Sequence, residues 1–253
     1  MNTAPVNQLR QVYRLRMSDF DRYGRMQPAA VLDLCQDAAA AHAERLGVGF
    51  DDLRRRGLAW VVLRMRYEQL AQPQLYDQVA VTTWPHPPGI MDFGRDYCID
   101  AMDGTPLVRG SAQWAVIHTD TRRLLPAKEL GFPPEGTREE HVFPARLRKL
   151  PPMDGSGETQ RVACGSFAEL DLNGHVNNSR YANYILNALR PGPEEPITSL
   201  QLDYHREVLP DTALTLRVQR QGDGVQCAGY SGEQLMFQCR LRLGDAQKGA
   251  QHP

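Results

Sequence analysis

No stretch of the 253 residues holds the run of about 20 apolar residues that a bilayer-crossing helix needs. The N-terminal "MNTAPVNQLRQVYRL" also lacks the apolar core of a secretory leader, so the cytoplasm is the expected location. Cysteine is scarce: Cys35, Cys98, Cys164, Cys227 and Cys239 are odd in number, widely spaced and form no C-x-x-C pair. That spacing argues against a disulfide framework and against a cysteine zinc site, and no metal or cofactor is expected. An excess of one charge is missing too. With 29 basic and 30 acidic residues, no global field draws nucleic acid or an anionic membrane surface. What is present is 42% hydrophobic and 23% charged residues. That is the balance of a globular chain with a sizeable core, in one large domain or two ordinary ones.

The chain repeats itself. "DFDRYGRMQPAAV" at 19–31 and "ELDLNGHVNNSRY" at 169–181 fall into register, with Asp21 on Asp171 and Gly24 on Gly174. Beyond each glycine, Val31, Leu34, Cys35, Ala38 and Ala39 match Tyr181, Tyr184, Ile185, Ala188 and Leu189. Both sets have the i, i+3, i+4, i+7, i+8 spacing of one helical face. The pattern predicts a first helix starting near Pro28. A second should start at Asn177 or Asn178 and end in "RPGPEEP", with glycine suited to the C-cap. Alternating stretches follow each helix, with Leu63, Met65 and Tyr67 on one strand face and Leu200, Leu202 and Tyr204 on the other. Further strand-like runs contain "MDGT" and "GDG" as hairpin turns. Each half therefore reads as an α+β unit, a helix packed on antiparallel strands. The segment between them, rich in Pro, Gly and charge, reads as a surface linker. The last residues, "GDAQKGAQHP", read as a frayed tail.

Asp171, Asn173 and His175 stand together just before the second helix, where exposed backbone N–H groups could polarise a carbonyl and the side chains could activate water. Singly, each has a plainer role: Asp and Asn serve turns, and a lone histidine is usually structural. The first copy changes the odds, since it carries Tyr23, Arg25 and Gln27 where the second has Asn173, His175 and Asn177. Aligning the strands on Tyr67 and Tyr204 sets Leu70 opposite Glu207. Polar groups lost together from one copy point to chemistry in the other.

Four stretches carry a resemblance: "TW" at 83–84, "GRDYCIDAMDGTPLVRGSAQWAVIHTDTRRL" at 94–124, "DLNGHVNNSRYANYIL" at 171–186 and "LDYHREV" at 202–208. Over nearly its whole length the chain resembles the acyl-acyl-carrier-protein thioesterases of plants and bacteria. The resemblance implies two tandem hotdog folds, each a long helix wrapped by a curved antiparallel sheet. The N-terminal one would span 1–130, a linker 131–159, and the catalytic C-terminal one 160–253. It further implies hydrolysis of fatty acyl-acyl carrier protein to free fatty acid, in fatty acid biosynthesis, by a network falling on Asp171, Asn173, His175 and Glu207. Family members commonly have cysteine after that glutamate. Here Val208 stands there, and an isopropyl group cannot attack a thioester. Water attack is left, with either Glu207 or Asp171 as base, or covalent attack by Asp171.

By the same resemblance the first half supplies the acyl pocket, with Trp60, Val61, Leu63, Met65 and Tyr67 as lining candidates. Val176, Asn177 and Asn178 would hold the substrate carbonyl through their N–H groups. An acidic acyl carrier protein calls for a basic docking surface, for which 53–57, 121–123 and 145–149 are candidates. A monomer or a homodimer fits. The rival functions are an acyl-coenzyme A thioesterase, a hotdog dehydratase and a non-catalytic acyl-binding protein. "WPHPPGIM" at 84–91 has the superficial H-x-P-G look of a dehydratase, but it precedes a strand rather than a central helix.

Overall fold

Residues 6–244 are described in this computed structural model; the tail at 244–253 lies outside them except for Gly244. The edge strand β1 (Leu9–Arg14) is one the apolar pattern does not announce. The helix α1 (Pro28–Arg45) opens on the expected proline, whose missing N–H would have no helical partner in any case. Its expected face is buried at Val31, Cys35, Ala38 and Ala39 and half-buried at Leu34, and His42 and Ala43 extend it. Then come α2 (Phe50–Arg55), β2 (Leu58–Gln69), β3 (Gln78–Pro85), β4 (Phe93–Ala101), β5 (Pro106–His118), β6 (Leu124–Leu125) and α3 (Ala127–Leu130). The second half supplies β7 (Glu158–Cys164), α4 (Arg180–Leu189), β8 (Ile197–Tyr204), β9 (Thr212–Gln221), β10 (Gly224–Ser231) and β11 (Gln234–Leu243). Both expected hairpin turns form, "MDGT" between β4 and β5 and "GDG" between β9 and β10.

Strand order demonstrates the duplication. The first half runs β1-β3-β4-β5-β2, with β6 on β5, and the second runs β7-β9-β10-β11-β8. These are one permutation written twice, an α+β hotdog unit in tandem. The linear halves and the compact units differ, however. One unit comprises residues up to Met17, Asp33–Met65 and Pro73–Leu147; the other comprises Ser18–Leu32, Arg66–Gln72 and the chain from Arg148. The first copy of the Asp-x-x-Gly loop thus groups with the second unit.

Helix α4 starts at Arg180, two to three residues after the expected Asn177 or Asn178. The reason is local. Asn177 Oδ1 accepts the N–H and hydroxyl of Ser179 at 3.0 and 2.9 Å, an Asx turn that delays the helix. Its C-cap is Arg190 in the left-handed region, φ 47°, and not the glycine of "RPGPEEP". The 131–159 segment is a strap rather than a loose crossing. In the first unit Arg138 N–H donates to the Pro85 carbonyl at 2.9 Å, Trp84 Nε1 to the Glu140 carbonyl at 2.8 Å, and Val142 N–H to Asp96 at 2.7 Å. In the second unit Leu150 N–H donates to the buried Asp203 at 2.7 Å. β7 begins at Glu158, inside that segment.

His42 gives the first unit a pH response. It is 1% exposed, with Nε2 2.9 Å from the Val6 carbonyl and Nδ1 3.2 Å from the Arg95 guanidinium. Burial, then Arg95, lowers its pKa from 6.5 to about 4. A base held neutral by the fold binds fewer protons folded than unfolded, so stability is full above 6.5 and declines as pH falls toward about 4. The urea midpoint should therefore drop between pH 7 and pH 5, and His42→Gln should flatten that slope. An unchanged slope in the variant would assign it elsewhere.

Candidate active site

The loop before α4 is built around one carboxylate. Asp171 Oδ1 accepts the N–H of Asn173 at 2.8 Å and of His175 at 3.3 Å. The backbone closes as Asp171 N–H to the His175 carbonyl and Gly174 N–H to the Asp171 carbonyl, at 2.8 and 3.0 Å. Gly174 sits at φ 77°, a conformation that costs an L-residue about 1–2 kcal/mol. Upstream, Ser166 and Glu169 form a reciprocal capping box, and the Glu169 carbonyl accepts Asn177 N–H at 2.9 Å.

The first copy has the same loop. Asp21 Oδ1 accepts the N–H of Tyr23 and Arg25 at 2.8 and 2.9 Å, Asp21 N–H donates to the Arg25 carbonyl at 2.8 Å, and Gly24 has φ 74°. The shared aspartate therefore shapes the turn in both. What differs is the side chain after the glycine. Arg25 folds back onto Asp21 Oδ2 at 2.8 Å, closing that copy with an ion pair. His175 instead reaches outward, its Nε2 3.3 Å from Glu207 Oε2. Asp21→Ala and Asp171→Ala should each cost about 1–2 kcal/mol, the worth of two lost hydrogen bonds in a half-exposed loop. Melting curves on both variants check this, and a loss at one copy alone would show that the two carboxylates do not share the loop-building role.

Three buried or half-buried tyrosine hydroxyls, absent from the sequence reading, hold the loops that meet here. Tyr181 OH on α4 accepts Val208 N–H at 3.1 Å, Tyr184 OH accepts Gly165 N–H at 3.3 Å, and Tyr204 OH donates to the Asn178 carbonyl at 3.0 Å. Burial pushes the Tyr181 phenol up to about 12, so it stays protonated at neutral pH. In the sequence Tyr181 and Tyr184 show only as apolar positions at helical spacing and Tyr204 as one in strand alternation, both of which also read as plain core. Val208 is fully buried and its carbonyl accepts Val176 N–H at 3.1 Å. Glu207 is thereby placed beside the histidine loop, with 35% of its side chain exposed against 23% for His175.

Those bonds correct one expectation. The N–H groups of Val176 and Asn177 already serve the Val208 and Glu169 carbonyls, so neither is available to a substrate carbonyl without breaking the loop. The Asn178 carbonyl is held by Tyr204. Asn173 is exposed, with its amide 3.4 Å from Asp171 Oδ2. Of the lining candidates, Trp60 is half-buried in the first unit's core, edge-on to Phe93 at 4.9 Å, with Nε1 bonded to the Val48 carbonyl at 2.8 Å. Leu63 is half-buried, while Met65 and Tyr67 are buried. Phe167 and Leu172 flank the aspartate loop at 92% and 86% exposure, two apolar side chains that packing alone does not explain.

Two family models match the chain: the acyl-ACP thioesterase N-terminal domain over residues 7–129 and the acyl-ACP thioesterase C-terminal domain over residues 161–252. Among curated proteins, oleoyl-acyl carrier protein thioesterase 1, chloroplastic, from Arabidopsis thaliana is 27% identical over 86% of this chain and 67% of its own length. Palmitoyl-acyl carrier protein thioesterase, chloroplastic, from Cuphea hookeriana is 30% identical over 85% of this chain and 54% of its own. The chain thus spans between about half and two thirds of these relatives. Among solved structures, the 12:0-ACP thioesterase from Umbellularia californica superposes with a TM-score of 0.85 at 22% identity, covering 96% of this chain and 99% of that one. An acyl-ACP thioesterase from Bacteroides thetaiotaomicron gives 0.81 at 18% identity over 94% and 98%.

Proposed function

From the premise that the chain belongs to the acyl-ACP thioesterase family, both of whose domain models it matches, we propose that it hydrolyses fatty acyl thioesters on acyl carrier protein. The observation that carries this is the approach of His175 Nε2 to Glu207 Oε2, 3.3 Å, in the one copy of the repeat that has both residues. Glu207 takes a proton from water, and the resulting hydroxide adds to the thioester carbonyl carbon. The C–S bond then breaks, and the proton passes through Glu207 to the departing sulfur. His175 orients Glu207 and the water. Asp171 is a positioning residue, since its Oδ1 already holds two N–H groups of the loop. The oxyanion is left to a side-chain donor, the exposed Asn173 amide.

The halves divide the work as membership of the family implies: 1–130 for the acyl chain, 131–159 as connection and 160–253 for hydrolysis. The segment 121–123, exposed throughout, is the docking cluster we favour for the acidic carrier. Two units in one chain make a monomer sufficient. Five free cysteines fit a reducing compartment such as the cytoplasm, and no helix among the described residues is long and apolar enough to cross a membrane.

Free acid released from a panel of acyl chains, each carried on acyl carrier protein and on coenzyme A, tests the reading. Hydrolysis should favour the protein carrier. Reversing Arg122 and Arg123 to Glu should raise KM for that carrier and not for coenzyme A. No acid from either carrier would overturn the proposal.

A further inference from the structure

We propose that His86, Asp96 and His141 bind a divalent transition-metal ion, zinc by the chemistry of the donors, in the first unit. Cysteine spacing points to no metal, but this set contains no cysteine. His86 follows β3 in the "WPHPPGIM" loop, Asp96 lies on β4, and His141 lies on the strap. One donor atom from each falls within 4.8 Å of the others. Asp96 Oδ2 is 3.2 Å from His86 Nε2 and 4.0 Å from His141 Nδ1.

The His86 ring is held as metal ligands are held. Its Nδ1 lies 3.0 Å from the Arg138 carbonyl, an acceptor only, so Nδ1 carries the proton and Nε2 the lone pair. That Nε2 is buried and has no hydrogen-bond partner among the described residues, although Asp96 Oδ2 is so near. A ring lone pair facing a carboxylate oxygen across 3.2 Å is the arrangement of two ligands of one ion. At zinc–ligand lengths of about 2.0–2.1 Å, the edge of a tetrahedron is about 3.4 Å. The His86–Asp96 separation already matches it. The His141 side chain is 61% exposed, so its 4.0 Å gap closes by a small rotation.

Asp96 itself asks for a cation. It is 1% exposed, the basic groups within 4.0 Å of its carboxylate among the described residues are the two imidazoles, and Val142 N–H donates to its Oδ2 at 2.7 Å. A buried carboxylate is normally paired or metal-bound. Gly94 makes room, since a Cβ there would meet His86 Cδ2 at 2.9 Å. A cleft of about 530 Å³, lined also by Asp92, Gln113 and Glu139, leads to the cluster and leaves a position for water. Two imidazoles and one carboxylate suit zinc and its neighbours, and do not suit calcium or magnesium. A bound ion would tie the strap to β3 and β4.

The test is calorimetric titration of EDTA-stripped, tag-free protein with zinc chloride, paired with cobalt chloride spectra. One saturable zinc site per chain is expected, with a visible tetrahedral cobalt band and a melting temperature raised by zinc. Magnesium should give none of these. His141→Ala, at an exposed position, should keep the metal-free melting temperature and thioester hydrolysis, yet weaken zinc binding about 100-fold and lose the cobalt band. No saturable zinc binding by the parent, or equal binding by parent and variant, would overturn the site.

Discussion

Glu207→Gln is expected to lower kcat by roughly 10²–10⁴-fold, the usual worth of a positioned general base. The amide keeps the size of the carboxylate but cannot accept the water's proton. KM should hold, because an interaction needed only in the transition state lowers kcat and kcat/KM alike. Stability should hold as well: the side chain is 35% exposed, and surface changes of this kind stay within about 0.5 kcal/mol. Steady-state rates on matched acyl-carrier substrates, with melting curves alongside, make the measurement. A folded variant turning over at the parent rate would remove Glu207 from the mechanism. Base duty would then fall to Asp171, and single-turnover hydrolysis in ¹⁸O water would show whether its carboxylate takes up label.

The second large effect is expected at Gly165→Ala. Gly165 has φ 78°, and a Cβ there would stand 2.4 Å from the Leu209 carbonyl oxygen, 3.0 Å from Pro210 Cα and 3.1 Å from Asp211 N. All three are backbone atoms and cannot rotate aside. Left-handed strain of about 1–2 kcal/mol and overpacking of about 1–3 kcal/mol together suggest on the order of 2–5 kcal/mol. The loop that must move also carries Glu207, so turnover should fall even in the fraction that remains folded, by displacement from His175. Gly174→Ala is the control, with φ 77° and nothing within 4 Å of its would-be Cβ. It should lose only the strain energy. Urea midpoints separate the two variants, and equal losses would discard the backbone clash as the cause.

The fold was legible where its signal is local. Apolar spacing marks α1 from Pro28, and the same face recurs on α4 at Tyr181, Tyr184, Ile185 and Leu189, all buried. Edge strands were harder. Most of β7, "ETQRVAC", is exposed and therefore shows little apolar alternation. The start of α4 lies beyond the asparagines that the pattern points to, because an Asx turn uses the same asparagine that caps a helix. At the site, Asp171, Asn173 and His175 stand together in the sequence, but the use of each atom does not. Asp171 reads equally as base or as turn former until its Oδ1 is seen holding two N–H groups, as Asp21 does in the first copy.

The sequence by itself determined a duplicated helix-and-sheet module and the loss of polar groups from one copy, because periodicity and turn chemistry act between residues a few positions apart. Only the tertiary structure decided that Glu207 meets His175, that the Val176 and Asn177 N–H groups close a loop, and that His86, Asp96 and His141 converge. Strand register and buried tyrosine hydroxyls make those choices, acting between segments far apart in the chain that become neighbours only when the sheets form.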